Sequence, residues 1–161
     1  MPKNIDSIIV HCSDSEWGTA REIKKWHTDP IPQGRGWSDI GYHFVIQNGK
    51  PTPRQNLPAL DGSIECGRYI DEDNVIGPNE MGIHALGYND HSIGVCLIGT
   101  KTFTIPQFDA LKRLLQDLCR EHGIPVENIL GHCETESGKA QGKTCPNFAV
   151  SDFRTWLKGR V

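Results

Sequence analysis

The sequence predicts an α/β domain in which helices pack against a β-sheet. Three apolar runs have the composition of buried strands, namely residues 5–12 (IDSIIVHC), 41–47 (GYHFVIQ) and 91–99 (HSIGVCLIG). Helical patterns lie between or after these runs, and such alternation is typical of a sheet with helices packed on it. A chain of 161 residues has the size of one domain, so residues 1–161 are assigned to a single domain.

The first strand ends in polar residues, and His11 stands close to its C-terminal end. A helix is predicted to follow. Thr19 can cap a helix that begins at Ala20, and Glu22 completes the capping-box pattern. The helix should end before Pro30, since proline disfavours a helical conformation in the residue before it.

The second strand is closed by the turn dipeptide Asn48-Gly49. Tyr42 and His43 both belong to this predicted strand, so their side chains should point to opposite faces. His43 is expected to be a buried, hydrogen-bonded histidine. Residues 55–90 have scattered glycine and proline and the least regular pattern, so they are predicted to be a long surface excursion.

The third run, 91–99, is predicted to be a central strand whose glycines allow close backbone contact. The most regular helical pattern spans 106–122, and Gly123 is suited to its C-cap. A short strand, ENILGH, ends on His132. The final segment, SDFRTWLKGR, is predicted to be a helix capped by Ser151.

Composition excludes several classes of protein. A net charge of -3 and a mean hydropathy of -0.45 indicate a soluble globular chain without affinity for nucleic acid. No apolar run is long enough to insert into a membrane, and the first residues lack the apolar stretch of a secretory signal. Cytoplasmic synthesis is therefore expected, with reduced cysteines, of which Cys12, Cys96 and Cys119 are predicted to be packing residues.

Two strand-end histidines and one cysteine form a candidate metal site. Zinc binds imidazole nitrogen and thiolate, and catalytic zinc sites commonly use three protein ligands. His11 and His132 each end a predicted strand, and Cys145 follows the loop after His132. Each residue alone is a weak indication, whereas the combination favours zinc.

Six segments resemble a known family: IIVHCSDS, AREIKKWH, GYHFVIQNG, IHALGYNDHSIGVCLIGT, GHCE and GKTCPNF. They are similar, in the same order from about residue 5 to residue 157, to N-acetylmuramoyl-L-alanine amidases of the phage T7 lysozyme type, which are related in fold to peptidoglycan recognition proteins. The resemblance implies a central mixed β-sheet flanked by α-helices. It also implies hydrolysis of the amide between N-acetylmuramic acid and L-alanine in peptidoglycan.

The resemblance also assigns residues. It implies one Zn²⁺ per chain, bound by His11, His132 and Cys145, with Tyr42 and Lys143 as catalytic residues. Lys143 stands two positions before a ligand and could stabilise the oxyanion formed when the amide is attacked. Tyr42 could add a hydrogen bond or handle a proton, and the sequence does not divide these roles.

Other residues have two interpretations. His84 matches a family position beside the metal, where either a substrate contact or a structural hydrogen bond is possible. Glu134 could orient a ligand or be a solvated charge. For Trp17, Trp37 and Tyr88, surface or core packing is preferred over contact with a sugar ring.

Two other functions compete with the enzyme. A non-catalytic peptidoglycan-binding module would be expected to lack the cysteine ligand, and a structural zinc site would need a fourth protein ligand that the sequence does not offer. As an enzyme, the chain fits a monomeric phage or prophage endolysin released by a holin, or else a bacterial wall-recycling or antagonistic amidase. Residues 54–80 are expected to narrow access of the substrate, and inhibition of a polymerase is not inferred.

Overall fold

Five strands form the central sheet of the computed structural model, which describes residues 2–161. Strand β2 (Ser7–Cys12) pairs in parallel with β6 (Ser92–Leu97) and β7 (Ile129–Gly131). Strand β3 (Phe44–Asn48) pairs in parallel with β6, whereas β4 (Asp61–Cys66) is antiparallel to β3. The predicted mixed sheet is therefore confirmed, with β6 in the middle. In spatial order the strands are β4 (Asp61–Cys66), β3 (Phe44–Asn48), β6 (Ser92–Leu97), β2 (Ser7–Cys12) and β7 (Ile129–Gly131).

Four helices and a small second sheet complete the described chain. Strand β1 (Lys3–Asn4) pairs with β5 (Val75–Ile76). Among the described residues, no helix has the length and apolar character needed to cross a membrane. The helices are α1 (Ala20–Thr28), α2 (Ile105–His122), α3 (Glu136–Ala140) and α4 (Val150–Leu157), with short 3-10 turns at Pro58–Leu60, Val126–Asn128 and His132–Glu134.

Helices cover both faces of the sheet. The larger core lies beneath α2 and α4, where Leu115 and Leu157 are fully buried against strand residues such as Val95. On the opposite face, Ile23 of α1 packs with Val45 in a smaller cluster. This smaller cluster leaves one end of its sheet face open for the polar groups described below.

The predicted N-cap of α1 and the predicted C-cap of α2 are both present in the structure. The Thr19 hydroxyl accepts a hydrogen bond from the Glu22 amide at 3.1 Å, and Gly123 takes the left-handed conformation at the end of α2 with a φ of 65°. The prediction that Ser151 caps the last helix is wrong. That helix begins at Val150, with Ala149 at its N-cap, because burial of Val150 in the core draws it into the first turn.

The prediction of a surface excursion over 55–90 is also wrong in part. Residues 61–66 form the edge strand β4, in which Ile64 pairs with Ile46. Two charged residues of the segment, Arg68 and Glu80, are buried. The strand was missed because an edge strand with mostly half-exposed residues has no strong apolar alternation.

Burial of the α2 leucines predicts that the fold is sensitive to truncation of these side chains. Leu115→Ala should lower the free energy of unfolding by about 2–5 kcal/mol, because the removed side chain leaves a cavity in a closed core. Leu86→Ala is the matched control, since Leu86 is 69% exposed; it should change stability by less than about 0.5 kcal/mol. Urea unfolding measures both, and equal losses would contradict this description of the core.

Candidate metal centre

The parallel pairing of β2 with β7 brings two histidines to one edge of the sheet. His11 is the penultimate residue of β2, and His132 directly follows β7. The chain then passes through α3 and returns with Cys145. One donor atom from each of these three residues lies within 4.8 Å of the others. The three residues expected to bind metal are therefore close together.

The donor set has the composition of an open zinc site. His11 Nδ1 lies 4.0 Å from Cys145 Sγ, and the His11 and His132 ring centroids are 4.7 Å apart. Within the described residues, no fourth histidine, cysteine or carboxylate joins this group. Two imidazoles and a thiolate suit zinc, and a set of three leaves a coordination position for a non-protein ligand.

A chain of hydrogen bonds fixes which His11 nitrogen is free. The Ser92 hydroxyl donates to the carbonyl of Tyr88 at 2.7 Å, so its oxygen can only accept from His84 Nε2, at 3.3 Å. His84 Nδ1 must then be the acceptor for the N–H on His11 Nε2, at 3.0 Å. This assignment leaves the lone pair of His11 Nδ1 on the side of Cys145.

Two further residues place His84 beside His11. A Cβ at Gly94 would lie only 2.7 Å from His84 Cγ, so the ring fits only over a glycine. The prediction of close backbone contact at the glycines of the third strand differs from what is found at Gly94, where the close neighbour is a side chain. Asn89 Oδ1 accepts hydrogen bonds from the amides of His84 and Ala85, each at 2.9 Å. The sequence analysis missed Asn89, for which an asparagine in a turn was the only local signal.

Burial keeps the imidazoles neutral. Desolvation, with smaller contributions from His84 and His132, holds the pKa of His11 well below its usual value. Burial and the Lys143 charge likewise lower the pKa of His132. A neutral imidazole offers a lone pair to a metal at neutral pH.

The surroundings of Cys145, in contrast, favour its protonated thiol, which is not the form that binds a metal. Its hydrogen bond with the Cys12 thiol is the main cause that raises the pKa of Cys145, and burial adds to the effect. The Cys12 amide donates to Cys145 Sγ at 3.2 Å, which partly offsets this by stabilising the thiolate. Binding of a metal by this sulfur must therefore release a proton.

An ion pair holds the segment that carries His132. The two Arg154 guanidinium nitrogens donate to the two Glu134 oxygens, each at 2.8 Å. Glu134 Oε1 also accepts from the Gly131 amide at 2.9 Å, and Arg154 donates to the Ile129 carbonyl at 2.8 Å. Glu134 is thus neither a free solvated charge nor bonded to a ligand side chain; it fixes the backbone on both sides of His132.

A cleft of about 650 Å³ opens over the three donor atoms, and both residues assigned to catalysis line it. The Tyr42 ring centroid lies 5.1 Å from that of His11, and burial raises the pKa of the Tyr42 phenol, which therefore stays protonated. Lys143 is exposed, and its backbone amide donates to the Gly138 carbonyl at 2.9 Å. Residues 83–86 line the cleft, whereas no residue of 54–80 does.

His43 is a buried histidine with both nitrogens bonded, as expected. Its Nε2 lies 2.6 Å from the Glu80 carbonyl, and its Nδ1 accepts from the Gly94 amide at 3.0 Å. Burial lowers the pKa of His43 to about 4. The expectation that Tyr42 and His43 lie on opposite sheet faces is wrong, because both precede β3 and both rings approach the His11–His84 pair.

The three aromatic residues of the loops differ in their surroundings. Trp17 packs against Trp26, with ring centroids 5.3 Å apart, and Tyr88 packs against His91 at 5.5 Å. Trp37 packs against His27, with ring centroids 4.7 Å apart, and also lines the cleft. The expectation of packing therefore fits all three residues, of which Trp37 also borders the cleft.

Comparison with known proteins identifies similar chains. The family model described as N-acetylmuramoyl-L-alanine amidase matches residues 1–148. The endolysin of Escherichia phage T7 is 34% identical over 170 residues, covering 99% of this chain and 90% of that protein. Peptidoglycan-recognition protein SC2 of Drosophila simulans is 33% identical over 140 residues, covering 84% and 61%. The solved amidase endolysin LysCS of Clostridium intestinale has 25% identity and a TM-score of 0.69, covering 96% and 84%.

The Glu134–Arg154 pair predicts a pH-dependent stability. The hydrogen bonds from Arg154 lower the pKa of Glu134, so the native state favours the ionised carboxyl. This stabilisation is complete above the ordinary carboxyl pKa and disappears as the pH falls through the lowered one. Glu134→Gln should cost about 1 kcal/mol at pH 7, a value reduced for partial exposure.

Urea unfolding at a series of pH values measures this difference, which should shrink below about pH 4. Glu121→Gln is the control, because Glu121 is exposed and has no ion pair in the described part of the chain. A cost for Glu134→Gln that did not change with pH would refute the ionic interpretation.

Proposed function

The chain belongs to the N-acetylmuramoyl-L-alanine amidase family, and we propose that it cleaves peptidoglycan with one Zn²⁺ bound by His11, His132 and Cys145. The reaction of the family is hydrolysis of the amide between N-acetylmuramic acid and the L-alanine of the stem peptide. The observation that carries the proposal is the convergence of three donor atoms within 4.8 Å at the floor of a cleft. We assign the whole of residues 1–161 to this amidase domain.

The donors suit zinc in number and in protonation. The hydrogen bond to His84 leaves His11 Nδ1 unprotonated, and burial keeps His132 neutral. Zinc in a site of this kind activates water near neutral pH and polarises a carbonyl group. A structural zinc site is disfavoured because such sites are closed by a fourth protein ligand.

Lys143 and Tyr42 have different parts in the proposal. Attack on the scissile amide places negative charge on its oxygen, and the exposed Lys143 ammonium at the cleft can approach that oxygen. Tyr42 keeps its proton because burial raises the pKa of the phenol, so it acts as a hydrogen-bond donor. The protonated phenol supports orientation of the substrate rather than removal of a proton.

His84 lies at the wall of the same cleft, and we propose that it acts on His11 as a positioning residue. Both of its nitrogens are bonded, one to His11 and the other to Ser92. Any contact of His84 with substrate would therefore be made by ring carbons. The two interpretations of His84 are compatible, with the structural one dominant.

The biological setting that fits best is a phage or prophage endolysin. Four of the similar proteins are named endolysins of phages, at 33–34% identity. We propose that the enzyme is a monomer made in the host cytoplasm, that a holin releases it, and that it acts on the wall. A non-catalytic peptidoglycan-binding module is the second candidate, because the chain is also similar to a peptidoglycan-recognition protein.

Product analysis after metal removal tests the function directly. The purified protein should release stem peptides with new L-alanine amino termini from peptidoglycan. Treatment with a chelator should abolish release, and added Zn²⁺ should restore it, because the donor set alone cannot activate water. Binding to peptidoglycan without new amino termini, in protein shown to contain zinc, would support the binding module instead.

A pair of cysteine variants tests the ligand assignment by their zinc content after dialysis. Cys145→Ser should lose zinc on dialysis, because a hydroxyl is a far poorer zinc ligand than a thiolate. Cys66→Ser, at an exposed cysteine, should keep it. Equal zinc content in the two variants would exclude Cys145 as a ligand.

Lys143→Ala should keep zinc and lower kcat by about 100–1000-fold, the usual cost of losing one group that stabilises an oxyanion. Lys139→Ala is the matched control, since Lys139 is exposed on α3. Metal analysis and steady-state kinetics on soluble muramyl peptides measure the two effects. Full activity of Lys143→Ala would remove this residue from the mechanism.

A further inference from the structure

A second cysteine lies directly against the proposed zinc ligand. The sulfur of Cys145 is 3.2 Å from the backbone nitrogen of Cys12 and 4.0 Å from its carbonyl oxygen. The interaction between the two thiols lowers the pKa of Cys12 and raises the pKa of Cys145. Cys12 is the last residue of β2 and directly follows His11, so its sulfur belongs to a well-fixed part of the chain.

The surroundings of the pair suit reaction with a small oxidant. Both cysteines line the cleft, where Cys145 is half-buried and the Cys12 residue is 6% exposed. The only other group bonded to the Cys12 sulfur in the described chain is the Asn147 side-chain amide, at 3.7 Å. No metal-binding role is assigned to Cys12, because its sulfur is not in the group of three donors.

We propose that Cys12 and Cys145 form a reversible disulfide when zinc is absent, and that this bond prevents zinc from binding. The proposal rests on the assignment of Cys145 as a zinc ligand. Disulfide formation needs the two sulfurs to approach to about 2.05 Å, and the Cys145 sulfur already lies against the backbone of Cys12. A disulfide sulfur has no thiolate charge, so the metal would keep only its two histidine ligands.

The oxidant is a low-molecular-weight disulfide, such as oxidised glutathione. One cysteine of the pair, as its thiolate, attacks one sulfur of the oxidant, forms a mixed disulfide and releases one glutathione thiolate. The thiolate of the other cysteine then attacks the protein sulfur of the mixed disulfide and displaces the second glutathione. The protein loses two protons and two electrons, and the oxidant is reduced to two thiols.

Bound zinc should prevent the reaction, because it occupies the Cys145 sulfur, which must take part in one of the two steps. The two states are therefore mutually exclusive. In a reducing compartment the chain stays ready to bind zinc, whereas an oxidising compartment inactivates any copy that has lost its metal. Reduction of the disulfide returns that copy to the zinc-binding form.

The test uses the full-length protein, freed of zinc by a chelator, exchanged into buffer and incubated with oxidised glutathione. Free thiols are then alkylated, and peptide mass spectrometry should show Cys12 linked to Cys145. Zinc affinity of the treated protein, measured by equilibrium dialysis, should fall by about a hundredfold or more, since changes next to a ligand alone cost about 10–100-fold. A phosphine reductant should restore it, and protein loaded with zinc before treatment should form no link.

Four variants separate the alternatives. Cys12→Ala and Cys12→Ser should keep zinc affinity after oxidation, whereas Cys66→Ser and Cys133→Ser should lose it as the wild type does. Absence of the linked peptide, or equal loss of affinity in both Cys12 variants once circular dichroism shows them folded, would overturn the inference. Failure of untreated wild type to bind zinc, or unchanged affinity of Cys145→Ser, would instead overturn the proposed function.

Discussion

The hydrogen bond between His11 and His84 constrains the whole centre. A histidine offers a metal only the nitrogen that carries no proton, and the partner of the other nitrogen decides which one that is. Here the Tyr88 carbonyl accepts a hydrogen bond from Ser92, so Ser92 accepts one from His84. His84 in turn accepts one from the N–H on His11 Nε2. The ring of His84 can take its place only because β6 has Gly94 beneath it. A backbone carbonyl thus sets the chemistry of a buried side chain three hydrogen bonds away.

The proposed centre combines metal donors on fixed segments with the charge of one exposed lysine side chain. His11 belongs to a buried parallel strand, and the segment of His132 is fastened by the ion pair between Glu134 and Arg154. Lys143, by contrast, stands exposed at the cleft. Metal geometry demands fixed donors, whereas an ammonium that meets a substrate oxygen gains from a flexible stem. The division matches the tasks proposed for the two kinds of residue.

The sequence predicted features that depend on neighbouring residues and missed those that depend on distant ones. The cap at Thr19 and the strand-end position of His11 follow from patterns a few residues long, and the structure has both. Donor chemistry proposed Cys145 beside the two histidines, and the family resemblance made that assignment specific and added Tyr42 and Lys143, which no periodicity could have done. Strand β4 and the Glu134–Arg154 pair depend on contacts between segments far apart in the chain, and a single sequence contains no trace of those contacts.

The positions of the donors along the chain have a consequence for its synthesis. His11 lies near the start of the chain, whereas His132 and Cys145 lie near its end. A metal that joins them closes the segment from residue 11 to residue 145 into one loop, so the free energy of binding also restrains unfolding. A nascent chain that has not yet reached Cys145 has neither a complete centre nor this restraint. On the proposed ligand assignment, activity therefore requires a chain that has been synthesised at least as far as Cys145.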